Sequence, residues 1–530
     1  MNRPIVRSLG ALAALCGALP LAAQAPAAAP PPRQTPSLVV FLTVDQLRAD
    51  YFHKYGSQLT GGLARLYRGG AVFTNAYQDH ANTETAPGHA STMSGRFPRS
   101  TGIVQNVAGV QDPQAPLIGS EGVGASPFRF RGTVLTDWLR IKDPRSRALS
   151  VSRKDRGAIL PLGRAKQEVY WYATDGRFTT STYYADTLPT WVRRFNDRRV
   201  PQRMAGQAWS LLLPAASYPE PDSVPVESAG LDFTFPHVLP ADPVEAARSF
   251  PEFPWMDQLT LDLALEGLDE LELGTGQQTD VLAVSLSTTD AVGHRYGPDS
   301  RELRDQVLRL DRMLGAFLDS LYTVRDSSRV VLALTSDHGV TAFPEVAYGA
   351  EAGRYHVRLD SVTDGMRRAL AARGVDSAAA TVEDGMLLLD RSALARARVN
   401  ADSLARAFAA AARRLPGVLR ADLVRELARG DTINDVVARR WVHMLPPDMP
   451  VEAVVTLRLG HVWGTASYAQ HGSPQDVDAH VPVIFYGPAF RPGRYDRFAR
   501  VVDMAPTLAR VLDVRPAERL DGRVLTEALR

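Results

Sequence analysis

Cysteine is almost absent from this 530-residue chain: Cys16 is the only one. Without cysteine pairs there is no disulfide framework, so an exported protein of this size must draw its stability from a large core or from bound metals. Lysine is scarce as well. Only Lys54, Lys142, Lys154 and Lys166 occur among 60 basic residues, so each lysine calls for a reason. Charge of one sign is nowhere concentrated, and the formal charge is +2. No basic tract points to nucleic acid or to a membrane surface. A bilayer-length apolar run is missing too. The N-terminal one is short and interrupted by Gly10, Gly17 and Pro20. With Arg3 and Arg7 before it and Ala23-Gln24-Ala25 after it, residues 1–25 have the build of a cleaved secretory signal.

What is present is the composition of a large globular protein, 45% apolar and 22% charged. Residues 26–36, PAAAPPPRQTP, form a Pro/Ala-rich linker. Ser37 to Val44, SLVVFLTV, reads as a strand buried on both faces, and it ends at Asp45. Two more runs end in the same manner. Asp280 to Ser287 leads into T-T-D-A-V-G-H with Asp290 and His294, and Arg329 to Leu334 leads into T-S-D-H-G with Asp337 and His338. Between these runs, Glu302 to Tyr322 carries apolar residues at helical spacing. Strand, helix, strand predicts a right-handed crossover in a mostly parallel sheet, with carboxylates delivered to one edge, where such sheets place ligands. Farther on, His471-Gly472-Ser473-Pro474 precedes a further buried-strand pattern, Val481 to Tyr486.

Any one of these residues has an ordinary reading as a helix cap or a hydrogen-bonded core group. Together, Asp45, Asp290, His294, Asp337, His338 and His471 supply nitrogen and oxygen ligands without sulfur. Such a set suits zinc or another divalent transition ion, and six ligands fit two ions better than one. The stretch Asn82 to Asn106 adds a nucleophile. Thr85 precedes Ala86-Pro87, and proline favours the first turn of a helix, which predicts Thr85 at the N-cap with its hydroxyl among converging N–H groups.

These motifs, in this order from about Leu38 to the C-terminus, resemble the alkaline phosphatase superfamily. The resemblance implies a three-layer α/β/α sandwich with a mostly parallel central sheet and two zinc ions. It implies that Asp290, His294 and His471 hold one ion. Asp45, Asp337 and His338 would hold the other, with Thr85 as its fourth ligand and as the nucleophile. Threonine in place of serine, and the lack of a Cys-x-Pro-x-Arg sequence, argue against the sulfatase branch.

Monoesterase and diesterase members share this core, and Lys154 and Arg156 in S-V-S-R-K-D-R bear on the choice. Alternation in an extended segment would set both side chains on one face, able to grip one anion. Lys-x-Arg alone is a weak motif. Its neighbours, through Trp171 and Gly176 to Tyr184, resemble the phosphate-irrepressible alkaline phosphatases of the bacterial periplasm, in which a lysine and an arginine bind phosphoryl oxygens. Asn106, 21 residues after Thr85, stands where that type has a phosphoryl-contacting asparagine.

The expectation is therefore a periplasmic zinc phosphomonoesterase acting on small-molecule phosphate monoesters through a phosphothreonine intermediate. It would be a monomer, without nucleic acid or stable membrane association. The alternative is a phosphodiesterase or nucleotide pyrophosphatase of the same superfamily. Residues 37–530 would form the catalytic domain, with 142–256 inserted as Pro-rich loops and 355–460 as a small α/β cap.

Overall fold

The computed structural model describes residue 1, residues 35–465 and residues 468–530. The expected signal, 1–25, and nearly all of the linker, 26–36, lie outside the described residues, apart from Met1. No helix among the described residues is long and apolar enough to cross a membrane.

Nine strands build the central sheet: β1 (Leu38–Val44), β2 (Ala71–Phe73), β3 (Ala148–Ser152), β4 (Glu168–Tyr172), β5 (Phe178–Thr179), β6 (Asp280–Leu286), β7 (Val330–Thr335), β8 (Val483–Tyr486) and β9 (Gly493–Tyr495). They lie in the order β9-β2-β8-β7-β1-β6-β3-β4-β5. The run from β7 through β1, β6 and β3 to β4 is wholly parallel. Strand β8 is antiparallel to both of its neighbours, and β5 is an antiparallel edge.

Period-two alternation explains why the middle strands are apolar at nearly every position. Leu38, Val40, Leu42 and Val44 of β1 face one core together with Leu282 and Val284 of β6 and Leu332 and Leu334 of β7. Val39 and Phe41, with Val281, Ala283, Val331 and Ala333, face a second core. Both faces are covered, which requires continuous hydrophobic runs and yields three layers. The first core is closed by the helices Trp255–Glu270 and Arg301–Val324. The latter buries Leu303, Val307, Leu310, Leu314 and Phe317 and is capped by Ser300, whose hydroxyl accepts the Leu303 N–H. The second core receives Ala86, Ala90 and Met93 from the threonine-bearing segment, as well as Trp138, Met504 and Leu508.

Residues 142–256 are not an insertion of loops. They supply β3, β4 and β5, a third of the central sheet. The proline-rich part obscures this because β3 and β4 are only five residues long and are interrupted by a short helix, Asp155–Ile159.

Residues 360–457 carry a separate antiparallel sheet, ordered Ala380–Glu383, Met386–Leu389, Val451–Leu457, Val418–Leu423. One of its faces packs Leu387, Leu389, Ala453 and Val455 against the helices Asp360–Ala371 and Ala401–Ala412. The other turns Met386 and Val454 toward Trp441 and Met444 of the helix Val436–Met444 and toward Ala81 and Val104 of the main body.

Candidate active site at the carboxyl edge of the sheet

The ligand-bearing residues leave the sheet at one edge because parallel strands end together. Asp45 follows β1 directly and Asp337 stands two residues beyond β7. Asp290 and His294 lie on the helix Thr288–Tyr296 that follows β6. His471 arrives from the loop before β8. Its ring stacks on that of His338 at 3.6 Å between centroids.

Two ligand clusters converge there. Asp45, Asp337 and His338 form one, and Asp290, His338 and His471 form the other. His294 joins the second by its Nε2, 3.2 Å from Asp290 Oδ1 and 3.1 Å from His471 Nε2. Each imidazole has its far nitrogen engaged by a backbone carbonyl. His338 Nδ1 lies 2.9 Å from Gly339 O, His471 Nδ1 2.8 Å from Thr83 O, and His294 Nδ1 2.6 Å from Ala469 O. A carbonyl accepts only, so Nδ1 carries the proton and Nε2 presents a lone pair to the cluster. His338 Nε2 and Asp45 Oδ1 are buried without a hydrogen-bond donor, while Asp45 Oδ2 meets only the Lys154 ammonium. Orphaned buried acceptors are costly, and a divalent cation satisfies all of them at once. The donor set therefore fits metal ions.

Burial, followed by the facing carboxylates of Asp290 and Asp337, pushes Asp45 up to about 6. Burial also opposes ionisation of Asp290, but the Lys154 ammonium outweighs it and holds this carboxyl well below its ordinary value. His471 is held neutral by burial and by the neighbouring imidazoles of His338 and His294.

Lys154 explains its own rarity. Its ammonium lies 2.6 Å from Asp45 Oδ2, 2.6 Å from Asp290 Oδ2 and 3.2 Å from Thr85 Oγ1, linking both clusters to the hydroxyl. Two expectations need correction here. Thr85 is not the N-cap: the helix runs Thr85–Thr92 with Glu84 in the extended cap position, so Thr85 is its first residue. Glu84 instead accepts the Asn106 N–H at 2.8 Å, and Asn106 Oδ1 accepts the Ala86 N–H at 2.8 Å. This exchange satisfies a free donor of the first helical turn and leaves the Asn106 amide N–H groups for a ligand. Nor do Lys154 and Arg156 alternate along a strand. Lys154 is the extended cap of the helix Asp155–Ile159 and Arg156 lies in its first turn, half-buried, with Nη1 3.4 Å from Asp155. Among the described residues, Arg156 forms a side-chain ion pair with Asp155 and none with the cluster carboxylates.

Several supporting groups have no motif of their own. Gln46 adopts φ 63°, sparsely populated by non-glycine residues; its N–H donates to Asp337 Oδ1 at 3.2 Å and its amide to Asp290 Oδ1 at 3.0 Å. A Cβ at Gly293 would stand 1.7 Å from Gln46 Oε1, which accounts for the glycine in T-T-D-A-V-G-H. His89 is wedged behind Thr85, with Nε2 2.8 Å from Ser285 Oγ and Nδ1 2.9 Å from Thr85 O. Gly88 lets the Thr85 helix press on Asp337, since a Cβ there would lie 2.4 Å from Asp337 O. The glycines were visible as repeated interruptions in the motifs, but their partners were not.

Known proteins resemble the chain over most of its length. The chain is 30% identical to alkaline phosphatase PhoV of Synechococcus elongatus, over 93% of each chain. It is 30% identical to alkaline phosphatase PafA of Elizabethkingia meningoseptica, over 93% of this chain and 94% of that one. The crystal structure of wild-type PafA superposes with a TM-score of 0.86 at 28% identity, covering 94% of this chain and 99% of PafA. A PafA variant with one threonine, one asparagine, one lysine and one arginine replaced matches at a TM-score of 0.85 and 27% identity, over 94% and 99%. The type I phosphodiesterase / nucleotide pyrophosphatase family profile matches residues 39–414. The chain belongs to that family, within the alkaline phosphatase superfamily.

Proposed function

We propose that the protein is a zinc-dependent alkaline phosphatase that hydrolyses phosphate monoesters. The observation that carries this reading is the position of Lys154, with its ammonium at the Thr85 hydroxyl and between the two ligand clusters. A monoester presents one more charged oxygen than a diester, and a lysine at the reacting oxygen favours that extra charge. The replaced threonine and asparagine of the PafA variant are 21 residues apart, and its lysine and arginine two apart, as Thr85 and Asn106, and Lys154 and Arg156, are here.

Asp45, Asp337 and His338 would hold one zinc ion with Thr85 as a further ligand, and Asp290, His294 and His471 the second. Bound there, zinc supplies Lewis acidity that lowers the pKa of a coordinated hydroxyl and offsets phosphoryl charge. Thr85 Oγ1 attacks phosphorus in line as the bond from phosphorus to the alcohol oxygen breaks, giving the alcohol and phosphothreonine. Water then attacks the phosphothreonine, releases inorganic phosphate and returns the Thr85 hydroxyl. The Asn106 amide, Lys154 and Arg156 hold the phosphoryl oxygens through both steps, Arg156 by swinging its half-buried guanidinium inward. Residues 1–25 direct export to the periplasm and are removed. The chain acts there as a monomer on small-molecule esters.

The test is the ratio of kcat/KM for p-nitrophenyl phosphate to that for bis-p-nitrophenyl phosphate, with zinc at alkaline pH. Wild type should favour the monoester strongly, and the ratio should collapse in a Lys154→Ala, Arg156→Ala variant. A wild-type ratio near or below one would overturn the monoesterase reading in favour of the diesterase.

A further inference from the structure

A second concentration of charge, opposite in sign, lies where the helix Val436–Met444 meets the body. The carboxylate at its centre is Asp79, fully buried. Arg439 Nε lies 3.1 and 3.0 Å from the two Asp79 oxygens, and Arg500 Nε lies 3.0 Å from Oδ2. Arg440 Nε stands at 3.6 Å and His443 Nδ1 at 3.4 Å. Of the three guanidinium groups only Arg440 has a carboxylate besides Asp79, Asp476 at 2.8 Å. Arg439 spends Nη1 on the Ile433 carbonyl at 3.1 Å. Among the described residues, the terminal nitrogens of Arg500 have no hydrogen-bond acceptor.

Arg439, Arg500 and His443 line a cavity of about 510 Å³, with Thr432, Ile433 and Phe498 completing its walls. Phe498 lies beneath both guanidinium groups, 5.5 Å from Arg439 and 5.2 Å from Arg500, while Phe97 stacks on His443 at 3.9 Å. The aromatic faces pack against the guanidinium planes and restrict their rotation, which pre-organises their donors for an anion. Planar donors fixed in pairs suit tetrahedral oxyanions, which accept two parallel hydrogen bonds from one guanidinium.

We infer that the cavity bounded by Arg439, Arg500 and His443 is a second oxyanion site, distinct from the active site, that binds a phosphate group. The bound group is either free inorganic phosphate or the phosphate of an ester. Its position is consequential: Asp79 opens the segment that continues through Thr83, whose carbonyl orients His471, and Glu84, which holds Asn106, to Thr85.

Equilibrium dialysis of the zinc-loaded protein against labelled inorganic phosphate tests the site by stoichiometry. Wild type should bind two equivalents and an Arg439→Gln, Arg500→Gln variant one. Because that variant removes partners of a buried carboxylate, Ile433→Glu serves as the second test. Ile433 is 82% exposed at the cavity wall, so a carboxylate there neutralises the guanidinium groups without disturbing the core. It too should bind one equivalent, and Arg500→Lys should keep the second equivalent at lower affinity. Competition with phenylphosphonate separates the sources: displacement of the second equivalent means the site admits esters, and retention means that it takes the inorganic ion. One equivalent in wild type, or two in Ile433→Glu, would overturn the inference.

Discussion

The active-site cluster and the Asp79 cluster stand at opposite ends of one seven-residue segment and carry opposite surplus charge. In the first, Asp45, Asp290 and Asp337 outnumber the single ammonium of Lys154. In the second, Arg439, Arg440 and Arg500 share Asp79, and Arg440 alone also meets Asp476, which leaves a surplus of one positive charge. Buried charge of one sign must be matched by a counter-charge or removed by a proton. Carboxylates can take a proton, and burial beside Asp290 and Asp337 pushes Asp45 up to about 6. Guanidinium groups cannot give one up, so an arginine surplus calls for an anion. The same segment thus connects a site built for cations with one built for an anion.

The largest effect that would sharpen this contrast is loss of the nucleophile. Thr85→Ala should lower kcat/KM by at least about 10³-fold with the thermal unfolding temperature retained, whereas Thr85→Ser should keep part of the activity. Undiminished turnover in the alanine variant would remove Thr85 from the mechanism. Chelation comes next. Stripping metal should abolish turnover and lower the melting temperature, and zinc should restore both. At a free zinc concentration 100 times Kd, each ion contributes about 2.7 kcal/mol of stability. A melting temperature that ignores zinc would mean that the acidic surplus is not matched by a cation.

At the other cluster, Asp79→Asn leaves three guanidinium groups without their common partner. Breaking a buried ion pair from one side costs about 3–5 kcal/mol, measurable by urea denaturation. A change below about 1 kcal/mol would show that these arginines are solvated rather than buried together.

The last effect depends on pH and concerns a buried carboxyl whose neighbours are carboxylates. Burial, and then the Glu302 and Asp222 carboxylates, push Glu227 up to about 9. The folded state therefore keeps this proton at neutral pH while the unfolded chain releases it near 4.5, so stability falls as pH rises from about 4.5 to about 9. Glu227→Gln should match wild type below pH 4.5 and melt at increasingly higher temperature than wild type up to pH 9. A difference that does not grow with pH would count against a buried, neutral Glu227.

Much of the central sheet was legible because its strands are buried on both faces, which leaves unbroken runs such as Leu38–Val44 and Asp280–Leu286. Polar residues placed directly after such runs stand out, which is how Asp45, Asp290 and Asp337 were found. The short strands Ala148–Ser152 and Glu168–Tyr172 were missed, since five residues carry too little periodicity to separate a strand from an ordered loop. The roles of Gln46, His89 and Glu84 were missed for another reason. Each acts through partners between 22 and 291 residues away, which leaves no local pattern. Likewise, no local pattern around Arg439, Arg440 and His443 announces Asp79, which they meet only in the folded chain.

By itself the sequence determined the chemistry on offer: which ligand types exist, that sulfur is not among them, and which strands end in carboxylates. These follow from composition and local periodicity, which are properties of neighbouring residues. Only the tertiary structure decided which nitrogen of each histidine faces the cluster, that Lys154 reaches Thr85, and that arginines from residues 439–440 and 500 meet over one aspartate. Those outcomes depend on distances between segments far apart in the chain, and such distances are set by packing around two cores rather than by any stretch of residues alone.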